Sequence, residues 1–491
     1  MSVFHSTVSR RTFMKSLGLV GVGAASLTAP VFHDLDEMTG GDMANPKKPW
    51  WIKTLPLETL TVDTDWSLIQ RFDSTKSTQS NNALYSATWT QELLDQKAAK
   101  IKWIKENQPG YTLKDFAFRN NVGLPIGATN PWKLAPGDTG YPETYDTLGV
   151  PKHQGTPEEN ARMLRTALRV YGAFEIGYVP VTPNVLKLMY SNGYKADPTA
   201  TAPRIDTVAG VTYNILPTGA NLTTIPIMAP EMLTAYYAAP SPLIRGIHEC
   251  GNRINGSARA SGQRFLIALG YQGINGSYGP MPPFELLAGN SEMGRIGGQA
   301  ISPTYGMTQT QNALTTDLPL APTAPVDAGI WKFCETCANC ATTCPSSSNS
   351  SSHTTTWDPP AELNINAIDQ VKNPGIKYSG LGRKMFWNNM ATCKSYQDMV
   401  WGCNTCMANC VFSHLETAAV HMAVKATLGT TPIFNTFFKS MDRVMGYGTG
   451  TMFKAGVGPV TGTFNPKGVD WWTTETPPFG WDGRSQESHA E

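Results

Sequence analysis

The sequence lacks an excess of charge of either sign. Its 39 Lys and Arg residues nearly balance 38 Asp and Glu residues, so the formal net charge is +1, and only 16% of the chain is charged. Proteins that bind nucleic acid or an anionic membrane surface usually carry a clustered basic excess. We therefore expect no nucleic-acid partner.

Long hydrophobic runs are also scarce. The most apolar stretch, Leu17–Pro30, has about fourteen residues, whereas a membrane-spanning helix needs about 20. It follows Ser9-Arg10-Arg11-Thr12-Phe13-Met14-Lys15, a motif typical of twin-arginine export signals. We expect the mature protein to begin beyond Ala29 and to be soluble on the outer side of the cytoplasmic membrane.

Cysteine, in contrast, is clustered: eight of the nine cysteines form two runs. In the first run, Cys334, Cys337, Cys340, Cys344 and Pro345 follow the bacterial C-x2-C-x2-C-x3-C-P pattern, which binds iron–sulfur clusters. The second run has a longer first gap and Val411 in place of proline, and it consists of Cys393, Cys403, Cys406 and Cys410.

The fourth cysteine of such a run characteristically ligates the other cluster. We therefore predict two [4Fe–4S] clusters with crossed ligands. The first cysteine set is Cys334, Cys337, Cys340 and Cys410, and the second cysteine set is Cys393, Cys403, Cys406 and Cys344. Two structural zinc sites are an alternative, but zinc ribbons do not use a third cysteine so close to the first two. Disulfides are a second alternative, although such crowded cysteines have few good bridging partners.

The cysteine runs and the export motif are compatible with each other. Cysteines in an exported protein usually form disulfides, but the twin-arginine route carries chains that have already folded. The clusters can therefore be inserted in a reducing compartment before export.

Local patterns predict the main helices and strands. Thr156, Pro157 and Glu159 form a capping box at the start of a helix, and Leu243–Leu269 has helical spacing up to Gly270. Thr224–Ala229 is typical of a strand. From these patterns we divide the chain into a signal segment (1–33), an N-terminal region (34–155), a core (156–326, with an insertion at 183–223), an iron–sulfur domain (327–424) and a C-terminal return to the core (425–491).

Two clusters account for only part of this length, so the core must contain another site. The export signal, the core, the two cysteine runs and the pair Trp471-Trp472 near the C-terminus together resemble the catalytic subunit of a respiratory reductive dehalogenase. The resemblance implies an α+β fold, with a nitroreductase-like core that binds a corrinoid and a ferredoxin-like domain that binds two [4Fe–4S] clusters. It also implies a cobalamin-type corrinoid bound base-off. In agreement, none of the eight histidines stands in a D-x-H-x-x-G pattern.

The resemblance further implies an acid that protonates the substrate carbon. In the family this is a tyrosine assisted by an arginine, and the matching residues are Tyr236, with Tyr237 as the alternative, and Arg295 in the Glu292-Met293-Gly294-Arg295 loop. A neighbouring guanidinium would make a phenol a readier acid. Asn275 is a third candidate contact.

The expected substrate is a chlorinated ethene, alkane or arene, and the expected partners are a small membrane-anchor protein and a respiratory electron donor. Two alternatives have different functions. One is an exported two-cluster electron carrier. The other is a corrinoid enzyme similar to epoxyqueuosine reductase, which acts on cytoplasmic tRNA. The export signal and the lack of a basic excess both count against this second alternative.

Overall fold

The computed structural model describes residues 51–78, 81–86, 88–112, 132–147, 152–297, 299–359, 382–413, 419–445, 447–449, 458–459 and 462–473. The export motif and Leu17–Pro30 lie outside these residues. The helices are α1 (Trp89–Lys105), α2 (Pro157–Val170), α3 (Pro183–Leu186), α4 (Leu233–Tyr236), α5 (Pro242–Leu269), α6 (Met281–Leu287), α7 (Ile330–Cys337), α8 (Asn339–Thr342), α9 (Met390–Met399), α10 (Thr405–Ala408), α11 (Ala419–Thr430), α12 (Asn435–Val444) and α13 (Lys467–Asp470). The strands are β1 (Lys53–Thr54), β2 (Glu175–Ile176), β3 (Val179–Pro180), β4 (Tyr194–Ala196), β5 (Arg204–Val208), β6 (Val211–Leu216), β7 (Thr223–Pro230), β8 (Ile274–Asn275), β9 (Glu292–Met293), β10 (Ala300–Ile301), β11 (Gln309–Thr316) and β12 (Val326–Asp327).

A five-stranded antiparallel sheet forms the centre of the core. Its long strands β7 and β11 pair along their whole length, from Thr223 opposite Thr316 to Pro230 opposite Gln309. Strands β2 and β3 both pair with β7, and β8 pairs with β11. An antiparallel sheet with helices packed on it is an α+β arrangement, so the α+β fold class is confirmed.

Helix α5 covers this sheet. It packs on β7 and β11, and α2 packs against it in turn. The predicted capping box of α2 is present, because Thr156 accepts a hydrogen bond from the Glu159 N–H and the Glu159 carboxylate accepts one from the Thr156 N–H. Helix α5 ends at Gly270, whose φ of 95° lies in the left-handed region that favours glycine.

The segment that we expected to be an insertion, 183–223, forms its own small sheet. Strand β6 pairs in parallel with β4 and antiparallel with β5. Several side chains of β5 face solvent, including Ile205 and Val208. The domain boundaries drawn from the sequence stay predictions.

The cysteine region repeats a small unit twice. In the first run, Cys337 is followed by Ala338 and then by α8, and in the second run Cys403 is followed by Asn404 and then by α10. Ala338 and Asn404 both have positive φ angles, 54° and 49°. The two units pack against each other through α8 and α10.

The C-terminal segment contacts the core near α4. The Asn465 side chain donates hydrogen bonds to the carbonyl oxygens of Tyr237 and Ala239, at 2.8 and 2.6 Å. Trp471 packs in a buried cluster with Leu243 and Ile244 of α5. Within the described part of the chain, no helix is both long enough and apolar enough to cross a membrane.

Candidate functional site

The first cysteine set surrounds a cavity. All four of its members line this space, together with apolar residues that include Phe333, Val411 and Phe412. Cys410 comes from the second run, 66 residues after Cys344, and yet its charge acts on Cys334, Cys337 and Cys340. The fold therefore places Cys410 with the first run, as the crossed assignment requires.

The second cysteine set is formed in the reciprocal way. Cys344, the last cysteine of the first run, acts electrostatically on Cys393, Cys403 and Cys406. The two sets adjoin each other, because Cys340 also acts on Cys406. Such adjacency suits electron transfer between two centres.

Hydrogen bonds reach the sulfur atoms in a repeated pattern. In each unit, the backbone N–H two residues after a cysteine donates to its sulfur: Asn339 donates to Cys337, and Thr405 donates to Cys403. The positive φ of the intervening residue produces this turn. Ser348 N–H donates to the Cys344 sulfur at 3.3 Å. Hydrogen bonds to cluster sulfurs influence the reduction potential.

The donor chemistry of both sets fits an iron–sulfur cluster. All nine cysteines are free of disulfides. Burial is the largest cause that raises the pKa of Cys393 and Cys403 to about 12 and that of Cys410 to about 11. Four thiolates gathered at one site would therefore require a compensating positive charge, which iron supplies. A site for a single metal ion is a different arrangement from a cluster site. Among the described residues, no three His, Cys, Asp or Glu side chains form such a single-ion site.

Glu292 is a buried residue to which the sequence analysis assigned no role. Its carboxylate accepts hydrogen bonds from the N–H groups of Ala328, Ile330 and Trp331, at 2.8, 3.1 and 2.9 Å. These groups lie at the N-terminus of α7, which carries Cys334 and Cys337. Burial raises the pKa of Glu292 to about 7, and the N–H donors act in the opposite direction. An acidic side chain at this end of a helix also complements the helix dipole.

Arg295 binds the C-terminal half of the same helix. Its Nε donates to the Cys334 carbonyl oxygen at 3.0 Å, and an Nη1 N–H donates to that of Ser350 at 2.9 Å. The guanidinium also lies 3.9 Å from the ring centre of Phe386. Arg295 is 1% exposed, and its charge acts on Cys340. These contacts place Arg295 at the first cysteine set, and the catalytic role that we assigned to it stays a prediction.

Tyr236, the last residue of α4, has other partners. It is 1% exposed, its hydroxyl donates a hydrogen bond to Glu231 Oε2, and it shares a hydrogen bond with the Asn404 side chain. Burial is the largest reason that the pKa of Tyr236 lies well above its usual value, and Glu231 is the next largest. The arginine that lowers this pKa is Arg245, and its effect is small. The Glu231 carboxylate therefore raises the pKa of Tyr236 by more than the Arg245 guanidinium lowers it, which is opposite to the acidifying effect expected from the sequence.

Asn404 connects Tyr236 to the iron–sulfur region. Asn404 directly follows Cys403 in the chain, so a single residue lies between the candidate proton donor and a member of the second cysteine set. Helix α4 also packs against α10, which contains Cys406.

The neighbouring Tyr237 has a different environment. The Lys467 amino group lies 5.4 Å from its ring centre. Burial is the main reason that the pKa of Tyr237 is raised, with smaller contributions from Asp442 and Tyr447. The two adjacent tyrosines therefore contact different charged groups.

Asn275 lies in β8, within the central sheet. Its side-chain nitrogen donates to Gln263 Oε1 at 3.4 Å, and its backbone N–H donates to the Trp132 carbonyl oxygen at 3.2 Å. The side-chain oxygen of Asn275 is buried and has no hydrogen-bond partner among the described residues. The same is true of Asn255 on α5. Both oxygens can accept a hydrogen bond from a ligand that carries amide groups.

Comparison with known proteins identifies the relatives of this chain. Residues 47–320, more than half of the sequence, match the family described as "Dehalogenase: Reductive dehalogenase subunit". The chain is 29% identical to trichloroethene reductive dehalogenase of Dehalococcoides mccartyi strain 195, over 96% of this chain and 98% of that protein. It is 28% identical to chloroethene reductive dehalogenase of Dehalococcoides mccartyi strain VS, over 98% and 99%.

A solved structure shares the fold. It is a reductive dehalogenase described as suggesting a mechanism for B12-dependent dehalogenation, with a TM-score of 0.51 and 17% sequence identity. The match covers 80% of this chain and 48% of that one, so the chain spans about half the length of this solved protein. Together the similarities favour dehalogenation over an electron carrier or an epoxyqueuosine-reductase-like enzyme.

Proposed function

The chain belongs to the reductive dehalogenase family, and we propose that its substrate is a chlorinated ethene. In the reaction the substrate takes up two electrons and one proton, a carbon–chlorine bond becomes a carbon–hydrogen bond, and chloride leaves. The names of the two relatives that match nearly the whole chain support this choice among ethenes, alkanes and arenes.

The observation that carries the proposal is the interleaving of the two cysteine sets beside Tyr236. Each set would hold one [4Fe–4S] cluster, and the two clusters would pass single electrons toward the substrate from a respiratory donor. Asn404 lies next to a cysteine of the second set and contacts Tyr236. Electron delivery and proton delivery would therefore meet in the same region.

A base-off corrinoid would supply cobalt, which exchanges electrons with a carbon–halogen bond. The buried, unpartnered side-chain oxygens of Asn255 and Asn275 fit the amide groups around a corrin ring, because each would gain a hydrogen bond that it otherwise lacks. These residues would hold the ring edge. The B12 dependence of the solved relative supports this assignment.

Tyr236 would donate the proton. A tyrosine is a weak acid, and the protonated form dominates here because burial and Glu231 both raise its pKa. The phenol is therefore loaded with its proton before each reaction. Because water would be excluded from this buried position, the substrate would receive its proton from Tyr236 and not from water.

We also infer that the protein acts on the outer face of the cytoplasmic membrane. The twin-arginine motif at Arg10-Arg11 supports export. A small membrane-anchor protein would then attach the chain peripherally.

The substrate proposal can be tested with a panel of compounds. The anaerobically purified holoenzyme would receive reduced methyl viologen and either trichloroethene, a chlorinated propane or a chlorobenzene, and chloride release per bound cobalt would be measured. The proposal expects turnover of trichloroethene well above that of the other compounds. Preference for the propane or the benzene would contradict the substrate class, although it would leave dehalogenation intact.

A further inference from the structure

Tyr236 is nearly inaccessible to solvent but must regain a proton after every turnover. It is 1% exposed, and its surroundings in the core are largely aliphatic, including Leu233, Ile244 and Ile247. A buried phenolate beside the Glu231 carboxylate would be strongly unfavourable. The tyrosine therefore requires a defined route for proton return.

The structure contains a continuous hydrogen-bonded path from Tyr236 toward the surface. The Tyr236 hydroxyl bonds to one oxygen of Glu231, and the other oxygen of Glu231 lies 2.9 Å from His248 Nδ1. The Glu231 side chain is fully buried, whereas 30% of the His248 side chain is exposed. The path thus begins at a buried acid and ends at an imidazole that solvent can reach.

The backbone geometry fixes this path. Glu231 directly follows β7, and its N–H donates to the Thr308 carbonyl oxygen at 2.9 Å. Gly251 lies one turn after His248 on α5, and a Cβ at Gly251 would come within 2.1 Å of Thr310 Oγ1 and 3.3 Å of Glu231 Cγ. The glycine therefore allows α5 to approach the sheet closely enough for His248 to contact Glu231.

We propose that Glu231 and His248 form a relay that returns a proton from solvent to Tyr236. After the phenol proton has moved to the substrate carbon, the His248 imidazolium gives its Nδ1 proton to the Glu231 carboxylate, and the resulting carboxylic acid reprotonates the phenolate. His248 takes the next proton from water. One proton enters for each proton used, and no electrons move along the relay. This inference rests on the proposed function, because it requires Tyr236 to be the donor.

The relay predicts that loss of His248 slows repeated turnover but spares the first one. His248→Asn keeps a hydrogen-bonding group near the Nδ1 position but cannot transfer a proton. Chloride release by the prereduced holoenzyme with trichloroethene would be measured in a single turnover and at steady state. We expect an unchanged first turnover, and a steady-state kcat lower by about 10²-fold, within the range of acid–base contributions. Tyr236→Phe should slow both phases.

Rescue and a matched control make the test specific. Added imidazole should restore much of the steady-state rate in His248→Ala, because it can occupy the vacated space and carry protons. His153→Gln is the control, since His153 is also partly buried but bonds to Asn160; its turnover should equal that of wild type. The relay is overturned if His248→Asn has the wild-type steady-state rate while Tyr236→Phe is inactive. It is also overturned if imidazole restores nothing in His248→Ala.

The same experiment separates the relay from the proposed function. Activity in wild type, loss in Tyr236→Phe and no effect in His248→Asn would leave the dehalogenase assignment intact. No chloride release by the wild-type holoenzyme from any organohalide would overturn both.

Discussion

Glu292 in β9 and Arg295, three residues later, bind the N-terminal and C-terminal halves of helix α7. The Glu292 carboxylate accepts the N–H groups at its N-terminal end, and the Arg295 guanidinium donates to the carbonyl oxygen of Cys334 in its C-terminal half. Each charge complements the helix dipole at its own end. The pair therefore positions the helix that carries Cys334 and Cys337.

This arrangement predicts that Arg295→Lys weakens the first cluster. A lysine cannot reproduce the planar set of donors, and loss of two hydrogen bonds from a buried charged group costs on the order of 3 kcal/mol. We expect a lower thermal midpoint and a lower iron content. Arg264→Lys is the control, because Arg264 faces solvent and its Nε donates to the Gly140 carbonyl oxygen. Full iron content and stability in Arg295→Lys, combined with lost turnover, would instead support its catalytic role.

Crossed ligation gives a second prediction. Cys344→Ala should damage the cluster of the second cysteine set, and Cys410→Ala should damage that of the first. Wild type should contain about eight iron and eight acid-labile sulfide atoms per chain, as two cubanes require. Electron paramagnetic resonance of each variant identifies the remaining cluster. Loss of the first cluster alone in Cys344→Ala would show that each run ligates its own cluster.

The proton donor gives a third prediction. Tyr236→Phe should lower turnover by about 10²–10⁴-fold, the contribution typical of a positioned acid, while the iron and cobalt contents stay unchanged. Tyr237→Phe is the matched control, and it should be nearly as active as wild type. Loss of activity at Tyr237 alone would move the donor by one residue, and normal activity in both variants would exclude both tyrosines.

Buried Glu285 gives a fourth prediction, for pH-dependent stability. Burial raises its pKa from 4.5 to about 8, so between these values the folded chain holds a proton that the unfolded chain releases. Stability should therefore fall as pH rises through this window, by about 1.4 kcal/mol per pH unit at most. Glu285→Gln should remove this contribution, and thermal midpoints from pH 5 to 8 measure it. An unchanged slope would show that Glu285 does not titrate in this range.

The export signal gives a fifth prediction. Replacing Arg10-Arg11 with Lys-Lys should leave the precursor in the cytoplasm, because the twin-arginine pair is the recognised feature. Cell fractionation with an antibody against the chain measures the distribution. Normal export of this variant would contradict the proposed route.

The sequence was sufficient to predict what local rules control. The capping box of Thr156 and Glu159 depends on residues three apart, and the two cysteine runs are recognised by fixed spacings within each run, whereas the crossed ligand assignment stays a prediction. Both features follow from short-range covalent geometry. The pairing of strands that are far apart in the sequence was harder to predict. Strand β11, with the sequence QTQNALTT, is mostly polar, so its pattern gives no hydrophobic signal although it forms the centre of the sheet.

Contacts that site residues make with distant backbone and side-chain groups could not be predicted from the sequence. The partners of Arg295 are carbonyl oxygens 39 and 55 residues away, and a carbonyl group leaves no trace in a residue pattern. Glu231 and His248 are 17 residues apart, and they meet because α5 packs against the sheet at Gly251. A Gly on the inner face of a long helix was the available signal.

Chloride release per bound cobalt measures directly whether this protein is a reductive dehalogenase. The holoenzyme, purified without oxygen and shown to contain about eight iron atoms, would be mixed with reduced methyl viologen and trichloroethene. We expect one chloride and one less-chlorinated ethene for every two electrons consumed. A protein with intact clusters and bound corrinoid that consumes no electrons and releases no chloride would contradict this expectation.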